Sequence, residues 1–240
     1  MTTSLEQLFR EARALLLDFD GPVCSIFAGY PAPVVAQELV QMLGAQGAGF
    51  ADDLERESDP LEVLRRSGAE ADGSITRAIE DALIEAEVRA AGSAEPTPHG
   101  REVIVAASQM DLPIAVVSNN SPQAVEAYLR AHRLGQHVRL VVGRAYAEPA
   151  RMKPNPAPIL EAADVLGVEP DRCVLIGDSL SDIEGAKASG TRVIGFANRP
   201  AKRQTFEQAG ADAVVTSMRE VAQALVRLDR TAGDQGELTA

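Results

Sequence analysis

Asp18 and Asp20 stand two residues apart at the end of the apolar run Leu15-Leu16-Leu17, and Gly21-Pro22 follow at once. Side chains of a strand alternate faces, so both carboxylates project from one face at a strand's carboxyl end, where Gly21 and Pro22 break it. Like charges so close repel, and the pair is tolerable where a divalent cation or a shared proton neutralises part of the charge. Chemistry built on a cation or a proton is what such a pair invites.

Three further segments offer polar groups of the kind phosphate chemistry requires. Ser118-Asn119-Asn120 closes the apolar run 114–117 with a hydroxyl and backbone amides, and Ser121-Pro122 then opens a helix. A helix start adds positive potential for an anion, although the same pattern also serves a capped helix alone. Gly177-Asp178 closes the run 174–176, and Asp182 follows four residues later near a helix start. Asp178 sits where a third metal-binding carboxylate is expected, while Asp182 could equally complement the helix dipole. Of 23 Lys plus Arg only Lys153, Lys187 and Lys202 are lysines, and Lys153 lies in the Pro-rich stretch Met152-Lys153-Pro154-Asn155-Pro156. A chain that otherwise uses Arg places a compact ammonium there. Lys187 and Lys202 fall in helix-like segments expected to be solvated.

The elements that must position these groups are legible from periodicity. After residue 100, short β-branched runs at 114–117, 138–142, 174–176, 193–196 and 213–215 alternate with helix-like stretches beginning near His99, Pro122, Pro156, Ser181, Arg199 and Met218. This β-α-β alternation predicts an α/β fold, a Rossmann-like three-layer core with a mostly parallel sheet covered on both faces by helices. Ligands of such sheets bind at the carboxyl ends of the strands. Residues 23–95 lack a convincing strand and read as helices near 32–43, 60–66 and 75–91, ending at the Pro-rich connector Glu95-Pro96-Thr97-Pro98-His99-Gly100. The expected division is a core of residues 1–22 and 96–228, an inserted α-helical cap over 23–95, and a polar, flexible tail over 229–240. An insertion at that point would hang above Asp18 and Asp20, either as a lid or as a helical subdomain with no gating role.

The chain has 240 residues, 45% of them hydrophobic, enough for a substantial core. Aromatic content is 4% without Trp, which disfavours the stacking platforms of single-stranded nucleic acid binders. A net charge of -12 repels both a phosphate backbone and an anionic bilayer, so the expected partner is a small molecule rather than nucleic acid or membrane. The apolar stretch 14–17 is too short for a signal-peptide core or a membrane span, and the expected location is cytoplasmic, with Cys24 and Cys173 reduced. His99, His132 and His137 show no metal-type spacing.

Together the four motifs resemble those of the haloacid dehalogenase superfamily, in order and over nearly the whole chain. Asp18-Phe19-Asp20-Gly21 is similar to its first motif, Ser118-Asn119 to its second, Lys153-Pro154 to its third, and Gly177-Asp178 with Asp182 to its fourth. The helical block resembles the C1-type cap of phosphoglycolate-phosphatase-like members. The resemblance implies hydrolysis of a small phosphorylated metabolite, with Asp18 as nucleophile forming an aspartyl-phosphate and Asp20 as proton carrier. It further implies Mg²⁺ held by the Asp18 carboxylate, the Asp20 backbone carbonyl and Asp178, with Lys153, the Ser118 hydroxyl and the Asn119 amide on the phosphoryl oxygens. Asp182 would support Lys153 or metal-bound water.

The continuation Pro22-Val23-Cys24-Ser25 departs from the Asp-Ser or Asp-Thr pair that many relatives carry there. Residues 21–98 contain neither Lys nor His, which removes the cap groups needed for Schiff-base phosphonate cleavage or a mutase proton relay. The same segment holds 14 acidic residues against five Arg, nine of the chain's twelve net negative charges, and disfavours large polyanions. The competing expectations are a phosphotransferase or mutase of the same family and a ligand-binding regulatory protein without turnover.

Overall fold

In the computed structural model of the chain, residues 4–237 are described, with side chains through Leu228. The first half runs α1 (Leu5–Glu11), β1 (Ala14–Leu17), β2 (Cys24–Ser25), α2 (Ala32–Ala45), α3 (Pro60–Glu70), α4 (Gly73–Ala91) and β3 (Glu95–Pro96). It continues with α5 (Gly100–Gln109), β4 (Ile114–Val117), α6 (Pro122–Ala131), β5 (Leu140–Val142) and α7 (Ala157–Leu166). The last elements are β6 (Cys173–Gly177), α8 (Leu180–Ser189), β7 (Arg192–Phe196), α9 (Pro200–Gln208), β8 (Ala213–Val215) and α10 (Met218–Glu237).

Six strands form one parallel sheet in the order β5-β4-β1-β6-β7-β8. Leu15 and Leu17 of β1 face one side, among Leu8 and Phe9 of α1, Val103 of α5, Val125 of α6 and Leu225 of α10. Ala14 and Leu16 face the other, among Ile159 of α7, Ile183 of α8 and Phe206 of α9. Alternation with period two thus buries every residue of β1, once against each helical layer. Each fully buried Leu contributes about 1.5–3 kcal/mol. The expected parallel α/β architecture is what the structure shows.

The helical block 32–91 has an apolar cluster of its own: Val35, Leu39 and Leu43 of α2, Val63 and Leu64 of α3, and Ile79 and Leu83 of α4. Asp59 caps α3 by accepting the Leu61 N–H at 2.9 Å, and Asp72 caps α4 by accepting the Ser74 N–H at 2.7 Å. The two ends of the block meet. β2 and β3 pair antiparallel, Ser25 opposite Glu95 and Cys24 opposite Pro96, so the Pro-rich connector is a short ladder beside the first strand's exit.

Three short elements, α1, β2 and β3, were not foreseen. α1 precedes the first strand and packs Leu8 and Phe9 on the sheet. At the other end, residues 229–237 of the expected tail continue the backbone of α10, and 238–240 lie outside the described residues. No helix among the described residues is long and apolar enough to cross a membrane.

Candidate active site

The sheet order steps away from β1 in both directions, which opens a crevice at the carboxyl ends of β1, β4 and β6. Asp18 follows β1, Ser118 follows β4 and Asp178 follows β6. A cavity of about 490 Å³ opens there, and Asp18, Asp20, Ser118, Asn119, Lys153, Asp178 and Asp182 all line it. From the helical side, Phe27, Ala32, Ser58, Asp59, Leu61 and Arg65 complete the wall.

Lys153 is buried, and its ammonium donates to Asp18 Oδ1 at 2.9 Å and to the Val117 carbonyl at 2.7 Å, with Asp182 Oδ1 at 2.6 Å. Burial alone would lower its pKa, but the Asp18 and Asp182 charges outweigh that and hold the group protonated. Asp182 is in turn fixed by α8: its Oδ2 accepts the N–H of Ser179 at 3.0 Å and the Ser179 hydroxyl at 2.7 Å in a capping box. Asn119 does something different from its neighbour Ser118. Its side-chain carbonyl accepts the Lys153 N–H at 2.8 Å and its amide donates to the Lys153 carbonyl at 3.1 Å, which locks the lysine's backbone to the β4 loop.

Burial pushes the Asp18 carboxyl up to about 8, reinforced by the Asp182 and Asp178 charges against the opposing pull of Lys153. Asp20 is pushed up to about 6, chiefly by burial, while the Ile26 N–H donating to its Oδ1 at 3.0 Å works the other way. A carboxyl in that range can exchange a proton near neutrality. The tight turn after Asp20 depends on Gly21, whose φ is +112° and whose missing Cβ would collide with the Asp178 carboxyl group.

Lys202 corrects the expectation of a solvated lysine. From α9 its ammonium donates to Asp178 Oδ2 at 2.7 Å and to the Asp178 carbonyl at 2.6 Å, and Asn198 donates to the same Oδ2 at 2.8 Å. Its scarcity as a lysine carried the same signal as Lys153, but a position inside a polar, helix-like segment masked it.

A family model described as haloacid dehalogenase-like hydrolase matches residues 5–190. The chain belongs to that family. Curated relatives of this haloacid dehalogenase-like hydrolase include phosphoglycolate phosphatases. That of Escherichia coli (strain K12) is 27% identical over 53% of this chain and 50% of its own length. That of Thiobacillus denitrificans is 33% identical over 50% of this chain and 52% of its own length. The chain thus spans about half the length of the curated relatives it matches. Among solved structures, a predicted phosphatase from Clostridium acetobutylicum superposes with a TM-score of 0.68 at 15% identity, covering 90% of this chain and 99% of the other. CbbY from Rhodobacter sphaeroides, in complex with phosphate, gives 0.63 at 22% identity, covering 86% of this chain and 95% of the other. At such identities the superpositions speak for the fold alone.

The acidic cluster fits a hard divalent cation. Asp18, Asp178 and Asp182 bring carboxylate oxygens within 4.8 Å of one another. Asp182 Oδ2 accepts from Ser179 and its Oδ1 faces the Lys153 ammonium at 2.6 Å, whereas Asp18 and Asp178 each have one oxygen engaged by a neighbour and one left for an ion. The space that a Cβ at Gly21 would fill is where Asp178 approaches the Asp20–Gly21 turn, and an all-oxygen donor set of this kind suits Mg²⁺.

Proposed function

We propose that this haloacid dehalogenase-like hydrolase is a Mg²⁺-dependent phosphatase that hydrolyses a small phosphomonoester in the cytoplasm through an aspartyl-phosphate. The observation that carries the reading is the convergence of Asp18, Asp20, Ser118, Lys153 and Asp178 on one cavity of about 490 Å³ roofed by helices. The sequence likeness to phosphoglycolate phosphatases supports the same reaction class.

In the first step Asp18 attacks phosphorus, a P–O bond to Asp18 forms as the P–O bond to the alcohol breaks, and Asp20 gives its proton to the departing oxygen. In the second, Asp20 takes a proton from water, whose oxygen attacks phosphorus, and the P–O bond to Asp18 breaks to return the free carboxylate. Lys153 holds the Asp18 side chain in line through its 2.9 Å hydrogen bond and offsets charge as the phosphoryl group arrives. The Ser118 hydroxyl and the backbone N–H of Asn119, whose side chain is engaged by Lys153, meet the phosphoryl oxygens. Asp182 keeps the ammonium in place. Asp18, the Asp20 carbonyl and Asp178 would hold Mg²⁺, which neutralises the repulsion between a carboxylate nucleophile and an anionic ester.

The helical block 23–95 serves as the lid of this site. Of its five arginines, Arg65 lines the cavity, while Arg66 pairs with Glu70 and Arg89 covers the ring of Tyr30. Residues 21–98 offer neither Lys nor His to relay a proton to a second hydroxyl, which favours water as acceptor over phosphotransfer. The test is phosphate release from p-nitrophenyl phosphate with Mg²⁺. Activity is expected to vanish with EDTA and in Asp18→Asn; turnover that survives Asp18→Asn removes the assigned nucleophile.

A further inference from the structure

Arg144 follows β5, and its guanidinium is fully buried between the sheet and the helical block. Its Nε donates to Glu80 Oε1 at 2.9 Å, and its Nη1 donates to Glu87 Oε1 at 2.8 Å and to the Asn119 carbonyl at 2.6 Å. Glu80 and Glu87 lie on α4 seven residues apart, two turns along one face, and both are buried. Glu87 also reaches the β4 loop directly, accepting the Asn120 side-chain amide at 3.1 Å and the Ser121 N–H at 2.8 Å. The Arg144 N–H closes the ring by donating to the Asn120 carbonyl at 2.9 Å. Every residue from Asn119 to Ser121 is therefore tied to Arg144 or to Glu87.

A buried guanidinium with two carboxylates is a poor way to hold one helix on another, because an apolar patch of equal volume does so at lower desolvation cost. What the charged cluster adds is direction. Its hydrogen bonds end on the backbone of the loop that presents Ser118 and Asn119, and the Asn119 side chain passes the constraint on to Lys153.

We propose that Arg144, acting with Glu87, is a positioning residue: it fixes the Ser118–Asn119 loop against α4, so that the loop's phosphate-facing groups are held in place. The inference rests on the phosphatase reading for what the loop holds. It gives α4 a role distinct from roofing the cavity, since this helix braces the loop from behind.

The test is a calorimetric titration of inorganic phosphate in the presence of Mg²⁺, alongside a titration of Mg²⁺ alone. It compares wild type with Arg144→Lys, which keeps the charge but loses the fork. The triple variant E80Q/E87Q/R144Q, which leaves no unpaired buried charge, serves if Arg144→Lys does not fold. Losing charged hydrogen bonds to the loop is expected to weaken phosphate binding about ten- to a hundredfold, with the Mg²⁺ dissociation constant within about twofold of wild type. Ser118→Ala is expected to cost little more in the Arg144→Lys background, because both act through one loop. Phosphate affinity within about twofold of wild type in either variant, or losses that multiply with Ser118→Ala, would overturn the proposal. A wild-type chain that binds phosphate but hydrolyses no phosphomonoester refutes the phosphatase reading and leaves this cycle intact; one that binds no phosphate refutes both.

Discussion

Substituting Gly21 by Ala separates backbone strain from damage to the acidic cluster. At Gly21 the φ of +112° strains any L side chain, at about 1–3 kcal/mol. The added Cβ also drives into the Asp178 carboxyl, which must shift, at about a further 1–3 kcal/mol. Gly190, the C-cap of α8 with φ +77°, has nothing within 4 Å of an added Cβ and is the control for strain alone, about 1–2 kcal/mol. For a chain of this size each kcal/mol lowers Tm by about 2–4 °C. Gly190→Ala is thus expected to melt about 2–8 °C lower and Gly21→Ala about 4–24 °C lower. The deciding quantity is metal affinity, measured by titration calorimetry with Mg²⁺. Gly190→Ala is expected to bind as wild type does, while Gly21→Ala weakens by about tenfold or more because the Asp178 ligand has been displaced. A Gly21→Ala chain that keeps the wild-type dissociation constant within about twofold refutes the claim that Asp178 and this turn share the metal site.

Two further measurements test the acidic cluster and the burial of the thiols. Asp18 is raised to about 8 by burial and its acidic neighbours, so without metal the folded chain keeps a proton that the unfolded chain has released above its ordinary carboxyl pKa. This group's contribution to stability therefore falls as pH rises toward 8. Lys153, held above its ordinary value, is protonated in both states over that window and leaves the slope unchanged. The rise in Tm on adding Mg²⁺ in place of EDTA is expected to grow between pH 5.5 and 8, and an equal rise at both ends contradicts the assignment. Burial, with Asp20 and Asp18 nearby, pushes the Cys24 thiol far up, and burial with Asp171 pushes Cys173 up to about 11. Neither is expected to react with a thiol reagent such as dithiobis(nitrobenzoate) until the chain is unfolded, and rapid labelling of the native protein would show that these burials are wrong.

Local patterns made the core legible. β4 and β6 are apolar, β-branched runs closed by Ser118 and by Gly177-Asp178, and the groups expected at the strand ends line one cavity because parallel connectivity delivers all carboxyl ends to one edge. The contacts that escaped sequence reasoning join distant partners. Glu80 and Arg144 are 64 positions apart, and in a chain rich in arginine nothing local sets Arg144 aside from those on the surface. Lys202 meets Asp178 across 24 positions, and Asn119 grips Lys153 across 34. α1 was overlooked because seven residues carry too little periodicity to stand out.

The pairing of Ser25 with Glu95 means that the helical block leaves and rejoins the sheet domain at neighbouring points. Modules with adjoining ends are the ones most readily exchanged between homologous scaffolds, and a donor block of different specificity could be spliced at this ladder without altering the strand order. Such a graft has one condition that the ladder does not reveal. Arg144 belongs to the recipient and Glu80 and Glu87 to the donor, so a chimaera without carboxylates at those two places would strand a guanidinium in the interior, at about 3–5 kcal/mol. Compatibility between scaffold and lid in this protein is thus written in three residues far from the splice.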